Sequence, residues 1–459
     1  MSMRRALFPL FAGAGLLLHA AAAVFSAQLS APFSAASRHP AIDYWRRPPH
    51  DPVADLDRKV RAGDVALKYE GETGYLRSVL DALGVPVESQ LLVLSKTSFQ
   101  ARLISPANPR ALYYNDQVAV GWVRGGDLIE FASQDPEQGT IFYTLVDNPD
   151  RPPKFVRNAA CLSCHIATTT LEVPGLFAGS VHPGEDGMPL YAPVYEVDHR
   201  TPLELRWGGW YVTGRHGAAR HMGNAVVADD ADFTTLVQDG NQNVASLVGR
   251  VDLAGYLSPH SDIVALMVLE HQMRMVNLFT RMGWEARIAT PEAKALAANA
   301  VLAPLPDDEG LIAATRTRTE DLAALTSRPV DEMAREVVDY MLFVDEAKLS
   351  GRIEGTSRFA DVFQAGGPRD RKGRSLRQLD LATRLMRYPC SYMIYTPSFD
   401  RLPEAARDAV YRRLWEVLSG SESSAIYAQK LPLADRQAIV EILKDTKPGL
   451  PDYFTAVTR

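Results

Sequence analysis

The chain has 459 residues, 46% of them hydrophobic and 23% charged, an ordinary globular composition long enough for two or three cores. Its 49 basic and 55 acidic residues leave a formal charge of −6, which excludes the basic footprint of a nucleic-acid binder. Three cysteines are too few for a disulfide framework. At the N-terminus, Arg4 and Arg5 precede an apolar run from Ala6 to Phe25, broken only by Pro9 and His19 and ending in small residues. That order reads as a secretory signal, with small residues suited to cleavage after Ala22, Ala23 or Ala36. The alternative is an uncleaved anchor, since the run is just long enough to span a bilayer and would hold the protein at the membrane. Either way the body of the protein is expected outside the cytoplasm, in the periplasm.

Residues 37–51, with His39-Pro40 and Pro48-Pro49-His50, read as an irregular entry segment. Helices are predicted at Val53–Ala62 and Gly74–Leu83, the second closed by Gly84 and Pro86. Strands are predicted at Gln90–Ser95, Ala111–Tyr114, Gln117–Val123, Leu128–Ala132 and Thr140–Val146, with Asn115-Asp116 as a hairpin signal. The proline-rich stretch Asp147–Pro153 connects them to the pentapeptide Cys161-Leu162-Ser163-Cys164-His165. A loop-rich region follows from Pro174 to Gly223, dense in Gly, Pro, Trp, Tyr and His, a composition suited to wrapping a flat apolar cofactor. Beyond Ser258 helices are predicted at Ser261–Met282, Asp307–Thr326, Val330–Lys348, Leu376–Met386, Glu404–Leu418 and Leu433–Lys444. The expected class is mainly α with a small antiparallel β portion in the N-terminal third, an α+β chain. Four regions are drawn: a signal or anchor over 1–36, an α+β region over 37–150, a loop-rich region around the pentapeptide over 151–257, and a helical region over 258–459.

The C-x-x-C-H run reads as a covalent c-type haem attachment site in an exported chain. Cys161 and Cys164 would form the two thioethers, and His165 would supply the proximal nitrogen to iron. The rival readings are a thioredoxin-like redox pair and half of a zinc site. Zinc would want a second cysteine pair where only Cys390 remains, and Pro174-Gly175 allows no long helix after the motif.

The sixth iron position separates electron transfer from catalysis. Arg220-His221-Met222 offers imidazole and thioether ligands together, so His221 and Met222 are the leading candidate metal ligands, against the alternative of a hydrogen-bonded loop histidine and a core methionine. His271, on a helical face with Met267 and Met275, is second; His260, His182 and Met188 are weaker, and His216 is a candidate distal acid–base group. Haem propionates need cations or donors, for which Arg206 and Trp210 are chosen from a set that includes Arg157, Trp207, Tyr211 and Arg215.

The pentapeptide resembles the attachment motif of the cytochrome c superfamily, and the resemblance is confined to it. It implies the attachment role for Cys161 and Cys164 and the proximal role for His165. The closing segment Leu433–Leu443 is similar to the last helix of a cytochrome c domain. One motif in a large chain, with the stretches Trp207–Gly223 and Arg387–Asp400, looks like a family of large bacterial exported cytochrome-like proteins without an established activity. Di-haem peroxidases share compartment and cofactor but need two motifs. The expected function is periplasmic electron transfer through one haem c, with a redox protein or a small donor or acceptor as partner. The alternatives are a haem peroxidase or oxidoreductase with an open distal site, and a haem-based sensor or partner-binding protein.

Overall fold

A computed structural model describes residues 33–190, 194–228, 239–300, 322, 325 and 327–457. The helix expected over Asp307–Thr326 lies almost wholly outside them, as does the apolar N-terminal run. The chain is of mixed α and β class, with an antiparallel sheet in its N-terminal part and helices in its C-terminal part.

Phe33–Arg38 forms a 3-10 turn whose residues Phe33, Ala35 and Ala36 are buried. Residues 33–36, drawn above with the leader, are therefore part of the folded body. Helix α1 (Pro52–Ala62) starts where Asp51 accepts the N–H groups of Val53 and Ala54, and stops at Gly63 in the left-handed conformation. A second short helix, α2 (Leu76–Ala82), leads into the sheet.

The strands are β1 (Leu91–Val93), β2 (Arg110–Tyr114), β3 (Val118–Trp122), β4 (Leu128–Asp135), β5 (Gly139–Val146) and β6 (Phe155–Arg157). They pair in sequence order as one antiparallel meander. The β2–β3 hairpin turns as expected at Asn115, whose Oδ1 accepts the N–H groups of Gln117 and Val118. Strand β6, absent from the sequence reading, carries the chain along β5 directly into the pentapeptide. There follow α3 (Leu162–His165), β7 (Ala178–Ser180), β8 (Tyr195–Val197) and β9 (Gly214–Arg215).

Alternation along the strands buries both faces. Ala111, Tyr113, Val120 and Phe131 share a core with α1 and α2. Leu91, Val93 and Tyr114 face the second core, built around α4 (Ile263–Ile288). This helix is apolar on almost every side, which is the pattern of a helix buried all round. No helix among the described residues is long and apolar enough to cross a membrane. Gly283 does not end α4 as the sequence suggests; it lies inside the helix, where an added Cβ would stand 3.2 Å from the flexible end of Arg287 and in ordinary contact, 3.5 Å, with Leu402.

Asp262 holds the start of α4. One carboxylate oxygen accepts from Val264 and Ala265; the other accepts the N–H groups of Thr356 and Ser357 and the Ser357 hydroxyl. Asp262→Ala removes a cap worth about 1 kcal/mol and orphans further donors at about 1 kcal/mol or more each. A loss of about 3 kcal/mol in urea unfolding is expected; a loss below about 1 kcal/mol would show that the clamp contributes little.

Among the described residues the remaining α-helices and strands are α5 (Pro291–Ala298), α6 (Val330–Met341), β10 (Glu354–Gly355, paired with β9), α7 (Phe359–Ala365), α8 (Pro397–Asp400), α9 (Glu404–Ser419), α10 (Ala425–Lys430) and α11 (Leu433–Thr446). Two expectations need correction. Helix α6 stops short of Lys348, the chain turning left-handed at Phe343 (φ 56°). Leu376–Met386 is not a helix: Asp380 accepts the N–H groups of Ala382 and Thr383, and Leu379 bridges back to Met386. A side chain that binds its own following N–H groups competes with helical hydrogen bonds, and here it wins.

Candidate functional site

The pentapeptide is presented by a tight succession of turns. Asn158 donates its N–H to the Phe142 carbonyl on β5, and its side chain accepts the N–H of Ala160. That caps a 3-10 turn, Ala159–Cys161, which runs into α3. Positions three and four apart share a helical face, so Cys161, Cys164 and His165 gather on one side while Leu162 turns into the core. Cys164 is exposed, Cys161 and the His165 ring are half-buried, and all three cysteines of the chain are free thiols.

His165 is clasped by Gly175. The N–H of Gly175 donates to the His165 carbonyl at 3.0 Å, and the imidazole Nδ1 lies 2.9 Å from the Gly175 carbonyl. A carbonyl can only accept, so Nδ1 carries the proton and Nε2 is left with the lone pair. A Cβ on Gly175 would stand 2.2 Å from Asn277 Oδ1, so this close approach requires glycine. The ring packs 4.8 Å from Phe142 and 6.0 Å from Phe177. Burial pulls its pKa down to about 4, which keeps it neutral near pH 7. The return loop is tight: Leu171 and Glu172 are both left-handed, and Glu172 accepts the N–H of Phe33 and lies near Arg281.

Cys161 stands beside an ion pair that the sequence reading missed. Arg110 and Glu130, on β2 and β4, meet at 2.6 Å across Gly121 of β3. A Cβ on Gly121 would strike the Arg110 guanidinium, so the pair depends on that glycine. Burial, then the Glu130 carboxylate, pushes the Cys161 thiol up to about 12 and keeps it protonated. Arg110 Nε is buried without a hydrogen-bond partner. The only signal in the sequence was a charged residue opening a strand, which is commonplace.

The other predicted residues belong to a separate network. Arg206 is 3% exposed; it donates to the carbonyls of Thr201 and His199 and to Glu270 at 3.0 Å. Trp207 Nε1–H donates to the other Glu270 oxygen. Trp210 Nε1–H donates to the Gly179 carbonyl, while its backbone bridges to Val93 at the edge of β1. The Trp-Gly-Gly-Trp loop thus closes the sheet edge over α4. His221 is buried, its Nδ1 accepting the N–H of Gly223 at 3.0 Å, with its ring against Trp207 and His216. An accepting Nδ1 puts the proton on Nε2, the tautomer that cannot donate a lone pair to a metal from that atom. The Met222 sulfur accepts from the Ser180 hydroxyl at 3.6 Å. The contacts described for His165 include none of Arg206, Trp210, His221 or Met222. His271 is fully buried between His199 and Ser391, and His216 is tied to Ala219 and Asn243. His260 lies just before α4, whose cap is Asp262. Cys390 is buried, its thiol pushed up to about 12 by burial alone. Among the described residues no cluster of three or more His, Cys, Asp or Glu is placed to hold a metal ion.

No family model matches the chain, and neither does a curated protein or a solved structure.

The buried ionisable groups set a pH response. Burial brings His221 and His271 down to about 3 from 6.5, so their contribution to stability is complete above pH 6.5 and lost as pH falls towards 3. Together they cost about 3 kcal/mol per pH unit in that window. Glu270 and Glu346 are pushed up by burial to about 7 from 4.5, so their contribution is complete below pH 4.5 and lost as pH rises through 7. The two effects oppose each other between pH 4.5 and 6.5, and only the histidine loss remains below. Burial lowers His199 too, and His165 in the haem-free chain, so the histidine losses outweigh the two glutamates. Urea midpoints of the haem-free chain are expected to fall from pH 6.5 to 4.5 and more steeply below; a midpoint that rises on going from pH 5 to 4 would contradict this.

Proposed function

We propose that the protein is an exported, periplasmic c-type haem protein that carries electrons through one haem attached to Cys161 and Cys164, with His165 as the proximal ligand. The observation that carries this reading is the clasp at Gly175. A carbonyl bonded to Nδ1–H fixes the tautomer and ring orientation that an axial histidine needs and leaves Nε2 free to ligate. Two free thiols on the same turn, one exposed and one half-buried, suit thioether attachment. When bound, the haem supplies one-electron chemistry between ferrous and ferric iron. The chain's own contribution is to hold the ligand nitrogen, to flank it with Phe142 and Phe177, and to offer Arg110 as a cation beside the motif. Arg110 replaces Arg206 and Trp210 as the favoured propionate partner: it is paired with Glu130 but lies beside Cys161 and keeps an unpartnered Nε, whereas the donors of Arg206 and Trp210 are taken up. A leader cleaved after Ala22 or Ala23 suits this reading better than one cleaved after Ala36, since Phe33–Ala36 packs into the body. The electron partner is a redox protein or a small donor or acceptor.

One observation favours a second reading, a haem oxidoreductase or peroxidase with an open sixth position. His221 is locked in the non-ligating tautomer by Gly223, and Met222 is engaged by Ser180. Ferric and ferrous absorption spectra with and without carbon monoxide separate the two. A low-spin spectrum unmoved by the gas supports the electron carrier; a high-spin spectrum that shifts on its addition supports the enzyme.

A further inference from the structure

A cavity of about 300 Å³ lies away from the pentapeptide, between the loop at His199, helix α4 and helix α6. His199, Arg274 and Tyr340 are among its walls. His199 is 2% exposed, and its Nε2 has no hydrogen-bond partner. The tautomer of that ring follows from a relay behind it. Ser391 Oγ is buried and accepts the N–H of Met393, and the one acceptor its own proton reaches among the described residues is His271 Nε2 at 2.7 Å; a His271 Nε2–H would leave that hydroxyl proton unbonded. His271 then carries its proton on Nδ1 and donates it to His199 Nδ1 at 2.8 Å. The His199 proton is left on Nε2, a buried donor with nothing to donate to. Tyr340 stacks on the same ring at 4.1 Å and fixes its plane.

A second orphan lines the same cavity. Arg274 donates through Nη1 to Glu196 at 2.8 Å, but its Nε is buried and unpartnered. The carboxylates of the cavity do not answer these donors. Glu336 is bound to Arg328 at 2.8 Å, Asp339 accepts the Tyr427 hydroxyl, and Glu332 and Asp345 face solvent at the mouth. Both unpaired polar atoms in the wall are therefore donors, and an unmade bond at a buried donor costs about 1–3 kcal/mol.

We infer that this cavity is a binding site for a small oxyanion or carboxylate, received by His199 Nε2–H and Arg274 Nε–H. It is independent of the haem reading, since no residue of the pentapeptide contributes to it. Helix α6 and the 198–200 loop form its walls, so occupancy ties the sheet-side loop to the helical region.

The test uses full-length protein labelled with nitrogen-15, with formate and inorganic phosphate as separate probes. His199 is expected to show a protonated Nε2 before any addition. Either probe is expected to shift the His199 Nε2 and Arg274 Nε signals saturably, with a Kd of about 1 mM or tighter. Arg274→Met should weaken that Kd at least about tenfold. Ser391→Ala, which removes the donor that sets the relay, should weaken it while moving the His199 proton towards Nδ1. An unprotonated Nε2, or shifts that stay linear in both probes with the wild-type protein, would overturn the inference. The wild-type titration decides the matter even where a variant fails to fold.

Discussion

Replacing Cys161 and Cys164 together by alanine is expected to abolish all haem that survives denaturation, in protein made by a host that attaches haem c. Each thiol reaches the same side of one turn, so each single variant should keep its remaining link and a reduced yield of holoprotein. Cys164 is exposed and Cys161 only half-buried, so the polypeptide loses little packing. Unfolding of the haem-free chain should change by no more than about 0.5 kcal/mol for Cys164→Ala. Haem loss without a stability loss distinguishes attachment from a structural role. His165→Ala makes the complementary case: the haem stays covalently bound while its spectrum changes, because the axial nitrogen is lost and the thioethers are not. Retention of denaturation-resistant haem by the double alanine variant would place attachment elsewhere.

The largest stability effect is expected at Arg206. Arg206→Leu leaves the Glu270 carboxylate, 2% exposed, without its cation, a loss of about 3–5 kcal/mol. The buried pair itself is not the source of net stability; leaving one charge behind is what costs. Arg206→Leu combined with Glu270→Leu should therefore be less destabilised than the two single changes added together, by at least about 1 kcal/mol. The remaining cost would come from the Trp207 N–H and the carbonyls of Thr201 and His199, which lose their partners in the double variant. Because burial already lifts Glu270 to about 7, protonation relieves the orphaned carboxylate, and the single Arg206→Leu loss should be smaller at pH 5 than at pH 8. Strict additivity, or a loss independent of pH, would mean that the pair is not coupled.

The sequence carried local chemistry well. The stretch Val53–Ala62 read as the helix that became α1, though its Asp51 cap went unread, and Asn115 foretold the hairpin because its side chain acts on its own neighbours' N–H groups. Strand β6 escaped notice since three residues carry too little alternation to register. Leu376–Met386 has helical composition, and only the turn that Asp380 makes overrides it. The same limit divides the candidate site. The pentapeptide was legible as a pattern of reactive side chains at fixed spacing. The clasp of His165 by Gly175 was not, because a backbone carbonyl ten residues away has no signature in residue type. Arg206 and Trp210 had suitable chemistry and suitable sequence distance, yet their donors answer Glu270 and Gly179. His221 was read by its element, an imidazole; its tautomer is set by the N–H of Gly223, which only the folded loop reveals.

The most direct test of covalent attachment is the mass of the tryptic peptide Asn158–Arg200, which contains the pentapeptide and no internal Lys or Arg. From protein made in a host that attaches haem c, the peptide is predicted to carry one haem, with neither Cys161 nor Cys164 open to alkylation. An unmodified peptide with both thiols alkylated would contradict the account.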